Sequence, residues 1–339
     1  MNILIYAYGN HEMGMGHIYR MLNLASLLKK REHNILFLIP SWNDGIKKIA
    51  EHNWKILKIP ISSFEQESAY KQLLDNYTFD CIIADALDIP KNIMKLFKEK
   101  TKLLVTLDNI GDGRFLSDIL INVLYKHKHK LKKPKIEVNS FDYLILNENF
   151  KNFNLKEKNI KKNIKKILIT QGGSDNHGIM PKIIDNLKNL PKELEYNILI
   201  GPAFKHYKEL ELSIKKSQLK INIMNNIDKP WELFYNMDLA ISGGGITLFE
   251  LLCVGVPCIA LTQEHKELET IKEINNLGLV QNLGLYGNLN EEELKNSIIQ
   301  LKDNYNKRIK MSEKGKKLID GCGCERIATL IENSLRVDD

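Results

Sequence analysis

Arginine is scarce: six residues against 43 lysines, in a chain of 339 with a formal net charge of +7. The lysines come with many asparagines and isoleucines, as in AT-rich coding sequence. A dedicated polyanion binder concentrates arginine on one face, so nucleic acid is not an expected partner. Cysteine is scarce too, with five residues. Cys81, Cys253 and Cys258 lie in apolar runs and read as small core residues. Cys322-Gly323-Cys324 has no second cluster, so a metal site is not expected. Such cysteine usage excludes a disulfide scaffold and fits a reducing cytoplasm. Long apolar runs are lacking. The longest such region, 239–261, is interrupted by Glu250, four glycines and Pro257. It is too broken for a transmembrane helix and reads as strand, helix, strand. Met1 leads straight into Ile3-Leu4-Ile5-Tyr6, with no targeting segment visible.

What remains is an ordinary globular composition, 43% hydrophobic and 27% charged. The length suits two domains of about 100–200 residues each. Short apolar runs alternate with amphipathic stretches throughout. Strands are predicted at 2–8, 34–39, 55–59, 81–84, 103–107, 119–122 and 143–146, then at 167–170, 196–200, 221–224, 239–242 and 258–262. Helices are predicted at 18–30, 41–52, 180–190, 207–215, 246–254, 268–277 and 291–301. Alternation of this kind builds parallel sheets covered on both faces. The expectation is an α/β protein of two Rossmann-like domains facing a central cleft. The first spans 1–147, a linker 148–165, the second 166–322, and a C-terminal helix within 323–339 crosses back to the first. Two lysine-rich stretches, 126–135 and 156–166, interleave no aromatics with the charge and read as a solvated loop and part of the linker.

Three glycine turns carry the chemistry. Gly14-Met15-Gly16-His17-Ile18-Tyr19-Arg20 follows the first strand. Its glycines permit a tight turn and close ligand approach, but Tyr19 breaks the dinucleotide fingerprint. His17 instead stands at a helix entrance, at the strand ends where α/β folds bind ligands, as a candidate base or a helix-end histidine. Ser242-Gly243-Gly244-Gly245-Ile246-Thr247-Leu248-Phe249-Glu250 is a strand, a triple-glycine turn and a helix start. Its free N–H groups suit phosphate oxygens. Glu250, about one turn along the helix, suits a ribose diol. Thr170-Gln171-Gly172-Gly173-Ser174-Asp175 is a further turn of this type.

Together these segments resemble the glycosyltransferase-B superfamily. Within it they resemble the UDP-2,4-diacetamido-2,4,6-trideoxy-β-L-altropyranose hydrolases of pseudaminic acid biosynthesis. Leu107-Asp108-Asn109, Asp118-Ile119-Leu120-Ile121-Asn122 and Asp320-Gly321-Cys322-Gly323-Cys324-Glu325-Arg326 extend the likeness over most of the chain. It implies a UDP-sugar substrate and His17 as general base for an inverting attack by water. It implies binding residues at Gly14, Gly16, Arg20, Gly172, Gly173, Ser174, Ser242, Gly243, Gly244, Gly245, Ile246, Thr247 and Glu250. Asp85, Asp108 and Asn122 are further candidates, and no cofactor or obligatory metal is implied. The sequence departs from the family at Asp85-Ala86-Leu87, where members often carry Asp-His-Tyr. This leaves three readings open: a hydrolase, a transferase to a glycan or lipid acceptor with transient membrane-surface contact, and a non-catalytic nucleotide-sugar binder.

Overall fold

The computed structural model describes residues 1–10, 14–124, 134–187, 190–191, 193–225 and 227–336. They divide into two compact units, one of Met1–Asn147 with Cys322–Asp339 and one of Glu148–Gly321.

Unit 1 holds a seven-stranded sheet: β1 Asn2–Ala7, β2 Asn34–Pro40, β3 Lys55–Ile59, β4 Phe79–Asp85, β5 Thr101–Leu107, β6 Ile119–Ile121 and β7 Ile136–Val138. Their order is β3-β2-β1-β4-β5-β6-β7, and every pairing is parallel. The central strands are near-continuous runs of Ile, Leu and Ala. Helices cover both faces of a parallel sheet, so neither face selects for polar residues. Leu4, Tyr6, Leu38, Ile82 and Leu104 fill one side of the sheet together with Phe97 from helix Lys91–Glu99. Helix Gly323–Arg336 also belongs to this unit. Its Glu332 pairs with Arg31 at 2.9 Å and His33 at 3.0 Å, just beyond helix Gly16–Lys30.

Unit 2 holds a six-stranded sheet: β8 Lys166–Thr170, β9 Glu195–Ile200, β10 Lys220–Asn225, β11 Leu239–Ser242, β12 Cys258–Thr262 and β13 Val280–Leu285. The order is β10-β9-β8-β11-β12-β13, again all parallel. Ile167, Ile169, Ile198, Ile241 and Ile259 centre its core.

In each unit the strand order reverses once, between β1 and β4 and between β8 and β11. Connections leave such neighbouring strands in opposite directions, which opens a crevice at their carboxyl ends. The His17 turn follows β1 and Asp85 ends β4, while the Gly172 turn follows β8 and the triple-glycine turn follows β11.

Two sequence readings change. The run 143–146 is not a strand. Leu144, Ile145 and Leu146 are buried in irregular chain, with Leu146 O accepting from Cys324 Sγ. The seventh strand of unit 1 is instead β7. Within 148–165, read as linker, Glu148–Asn154 forms a helix whose Phe150 is buried against Trp231 and Phe234. Asn154 Nδ2 also donates to the carbonyls of Cys253, Lys316 and Ile319. Residues 126–133 of the lysine-rich loop lie outside the described residues.

Candidate active site

In unit 1 the chemistry gathers around Asp85. This residue ends β4 and is fully buried. Its Oδ1 lies 2.8 Å from His17 Nδ1, and its Oδ2 accepts from Arg20 Nε at 2.5 Å. Arg20 Nη2 also donates to Oδ1, while Nη1 reaches Asp108 Oδ2 at 2.6 Å. His17 and Arg20 lie three residues apart on helix Gly16–Lys30 and therefore share a face. The rigid guanidinium fork fits one carboxylate with two donors and a second carboxylate with a third. Burial alone would raise the Asp85 carboxyl, but Arg20 and His17 outweigh it and hold it below the ordinary range. For Arg20, burial works against the charge and the two aspartates more than restore it.

A carboxylate only accepts hydrogen bonds. In the neutral ring, Nδ1 of His17, which also has Arg20 Nη2 at 3.3 Å, donates to Asp85, and Nε2 carries the lone pair. The His17 side chain is 21% exposed, whereas Arg20, Asp85 and Asp108 are closed off, so His17 is the member of the cluster that reaches the surface. Asp108 follows β5 in the left-handed region, φ +49, which Asp tolerates better than most residues. Its Oδ1 accepts from the N–H groups of Val123 and Leu124 at 2.7 and 2.9 Å. Asn122 Nδ2 donates to Asn139, while its buried Oδ1 has no partner among the described residues. Gly14, φ +95, closes the turn by donating to Asn10 O at 2.8 Å. Arg20, expected on a ligand, is 6% exposed and engaged with two aspartates.

In unit 2 the two glycine turns lie side by side, because β8 and β11 pair with Thr170 opposite Ser242. Gly172 takes φ +73, and a Cβ at Gly172 or Gly173 would meet nothing within 4 Å. Gly243 is held between Gln171 and Gln263, whose side-chain atoms lie 3.0 Å from where its Cβ would be. A Cβ at Gly244 would lie 2.9 Å from Glu267 Oε2. Glycine is favoured at Gly172 by its left-handed φ and at Gly243 and Gly244 by close side chains. Gly245 precedes helix Ile246–Cys253, and Ile246 and Thr247 are half-buried in its first turn. Ser174 is half-buried beside exposed Gly173.

The polar groups here are poorly matched. Gln171 is 1% exposed, yet neither of its amide atoms has a hydrogen-bond partner among the described residues, and the same holds for Ser242 Oγ. Glu250 makes no side-chain hydrogen bond or ion pair there, and burial pushes its carboxyl up to about 7. Gln171, Gln263 and Glu267 were missed from sequence. Only Gln171 carried a signal, standing directly before the double glycine. Asp175 is buried at φ +47 and accepts from Ile179 and Met180 N–H at 2.7 and 2.9 Å, fixing the helix that follows the Gly172 turn.

No protein-family model matches the chain. An uncharacterised protein of Methanocaldococcus jannaschii is 34% identical over 283 residues, 79% of this chain and 57% of that protein. The chain thus spans little more than half of this relative's length. The spore coat polysaccharide biosynthesis protein SpsG of Bacillus subtilis is 27% identical over 341 residues, 98% of each chain. Among solved structures, MurG of Acinetobacter baumannii superimposes with a TM-score of 0.70 at 13% identity, covering 98% of this chain and 99% of that one. Staphylococcus aureus MnaA in complex with UDP gives 0.67 at 14% identity, covering 99% and 97%. The chain has the GT-B fold. In this GT-B chain, no described helix is long and apolar enough to cross a membrane. No three His, Cys, Asp or Glu side chains among the described residues gather to hold a metal ion.

Proposed function

We propose that this GT-B protein is a nucleotide-sugar enzyme that displaces UDP at an anomeric carbon with inversion. The observation that carries this reading is the His17–Asp85 contact, which leaves Nε2 as an acceptor on the one accessible ring of a buried charged cluster. Nε2 takes a proton from the attacking hydroxyl. The oxygen bonds to the anomeric carbon on the face opposite the leaving group. The carbon–oxygen bond to the diphosphate breaks, and its electron pair goes to the β-phosphate of UDP. The amides of Gly173 and Gly244–Thr247 receive the phosphates, since those of Gly172 and Gly243 already donate to Thr170, and Glu250 accepts from the ribose diol.

In the first reading the attacking group is water and the sugar is an acetamido deoxy sugar, as the motif resemblance implies. In the second it is a glycan or lipid hydroxyl, favoured by the polysaccharide-biosynthesis relative from B. subtilis. UDP release from a panel of UDP-sugars in ¹⁸O-labelled water separates them. Label in the free sugar, with inverted configuration and no need for an acceptor, supports hydrolysis. Release that depends on an added acceptor supports transfer. No release from any UDP-sugar, from a protein that binds UDP, would sink the catalytic reading.

A further inference from the structure

Three aromatic rings stand at the carboxyl edge of the unit 1 sheet. Tyr8 follows β1, Trp42 follows β2, and Phe64 follows β3 and a short turn. The ring centroids are 5.7 Å apart for Tyr8–Trp42, 5.3 Å for Trp42–Phe64 and 6.4 Å for Tyr8–Phe64, all tilted or edge-on. All three residues are half-buried. Core aromatics of the same unit, such as Tyr6 and Phe97, are closed off, so each of these three side chains retains surface that the protein does not cover. The cluster is fastened at both sides. Tyr8 packs edge-on against Tyr6 at 6.0 Å and donates its hydroxyl to Asp88 O at 3.0 Å. Trp42 caps helix Asn43–Ala50, whose Gly45 approaches the Gly9 carbonyl and Ile18. Gly9 and Ile18 flank the His17 turn, so the rings are tied to the joint that positions His17. Asp88, exposed to solvent, stands beside Tyr8 through the hydroxyl bond.

We propose that Tyr8, Trp42 and Phe64 form a wall that seats the pyranose ring of the substrate, with its apolar C–H face on the aromatics and its hydroxyls toward the carboxylate side. A pyranose is apolar on its faces and polar around its rim. The wall matches that division: rigid rings supply the apolar face, and the exposed carboxylate of Asp88 stands on the residue that holds the Tyr8 hydroxyl. The proposal rests on unit 1 being the side where the sugar is attacked. It adds a residue set that no glycine motif contains.

The test uses tryptophan emission and binding of the full chain, with a Trp42→Phe difference spectrum to isolate Trp42 from Trp54 and Trp231. UDP-N-acetylglucosamine should change Trp42 emission, whereas UDP alone should not. Trp42→Ala should weaken UDP-N-acetylglucosamine binding up to about tenfold, and Phe64→Leu somewhat less, with UDP affinity unchanged in both. Circular dichroism checks that each variant folds, and Phe64→Leu serves if Trp42→Ala does not. Free N-acetylglucosamine at millimolar concentration is the arm that does not depend on nucleotide binding. Failure of UDP to bind sinks the nucleotide-sugar reading but not the wall, provided the free sugar still changes Trp42 emission. An emission that ignores both free and UDP-linked sugar, or variants that bind UDP-N-acetylglucosamine like the parent, overturns the proposal.

Discussion

The charged cluster of unit 1 and the glycine turns of unit 2 treat their polar groups in opposite ways. In unit 1, Asp85 and Asp108 are saturated: Arg20, His17 and two backbone N–H groups occupy their oxygens. In unit 2, Gln171 and Ser242 are enclosed and Glu250 half-buried, with nothing bonded to their side chains among the described residues. A buried polar group without a partner costs stability. A saturated cluster is assembled before any ligand arrives and can orient a base. An unsaturated one holds donors and acceptors in reserve. The difference fits a division between a side that performs chemistry and a side that grips.

The largest effect should come from removing the base. His17→Asn keeps the size and a hydrogen bond to Asp85 but cannot take the proton. It should lower kcat by about 10²–10⁴-fold while leaving UDP affinity unchanged. Steady-state kinetics with calorimetry on one preparation checks both. Wild-type turnover would move the base elsewhere, and lost UDP binding would erase the division of labour.

Next is Arg20→Met, which leaves two buried aspartates without their cation. Breaking a buried pair from one side costs about 3–5 kcal/mol, read as a fall in the denaturant midpoint. Because Asp85 is held below its ordinary range, its contribution is present at neutral pH and is lost as pH falls through its folded-state value. The gap between parent and variant should therefore narrow in acid.

A smaller effect is expected for Glu250→Ala. Loss of a carboxylate contact to the ribose should weaken UDP by about 1–3 kcal/mol. Unchanged affinity by calorimetry in a folded variant rejects the assignment.

Smallest is Glu250→Gln, which should stabilise the unliganded protein. The folded-state value of about 7 lies above the ordinary carboxyl range. Across the window between the ordinary value and about 7, the folded state keeps a proton that the unfolded state releases. Stability is therefore lost as pH rises through it. With allowance for the partial exposure of the side chain, the amide should gain about 1–2 kcal/mol at pH 8 and nothing at pH 4. Equal stability at both pH values would mean that Glu250 is not strained by burial.

Much of this was legible in the sequence because glycine turns after apolar runs are local signals. Gly14–Arg20 and Ser242–Glu250 announce their place between strand and helix without any knowledge of the partner strands. The pairing of Arg20 with Asp85 and Asp108 is not local. Separations of 65 and 88 residues close only when β1, β4 and β5 align. The run 143–146 misled because burial alone makes a segment apolar, and a buried loop has the composition of a short strand. β13 was missed for the converse reason: Gln281, Asn282 and Gly284 interrupt its apolar pattern. Helix Tyr305–Leu318 was hidden by its lysines, with only Arg308, Met311, Ser312 and Gly315 fully buried.

Gly321 and Gly323 have a consequence for how the chain is made. A Cβ at Gly321 would lie 2.8 Å from Lys151 N, and one at Gly323 would lie 2.0 Å from Leu144 O. The returning chain therefore runs in contact with the outgoing one, and at these two positions only a hydrogen side chain fits. Unit 2 is in effect a continuous insert whose two ends leave through one gate, while unit 1 is discontinuous. On the ribosome, all of unit 2 emerges before helix Gly323–Arg336 can pair its Glu332 with Arg31 and His33. Unit 1 thus remains one helix short until residues 323–336 have emerged, and a stall before residue 323 would leave bare the face of helix Gly16–Lys30 that meets them.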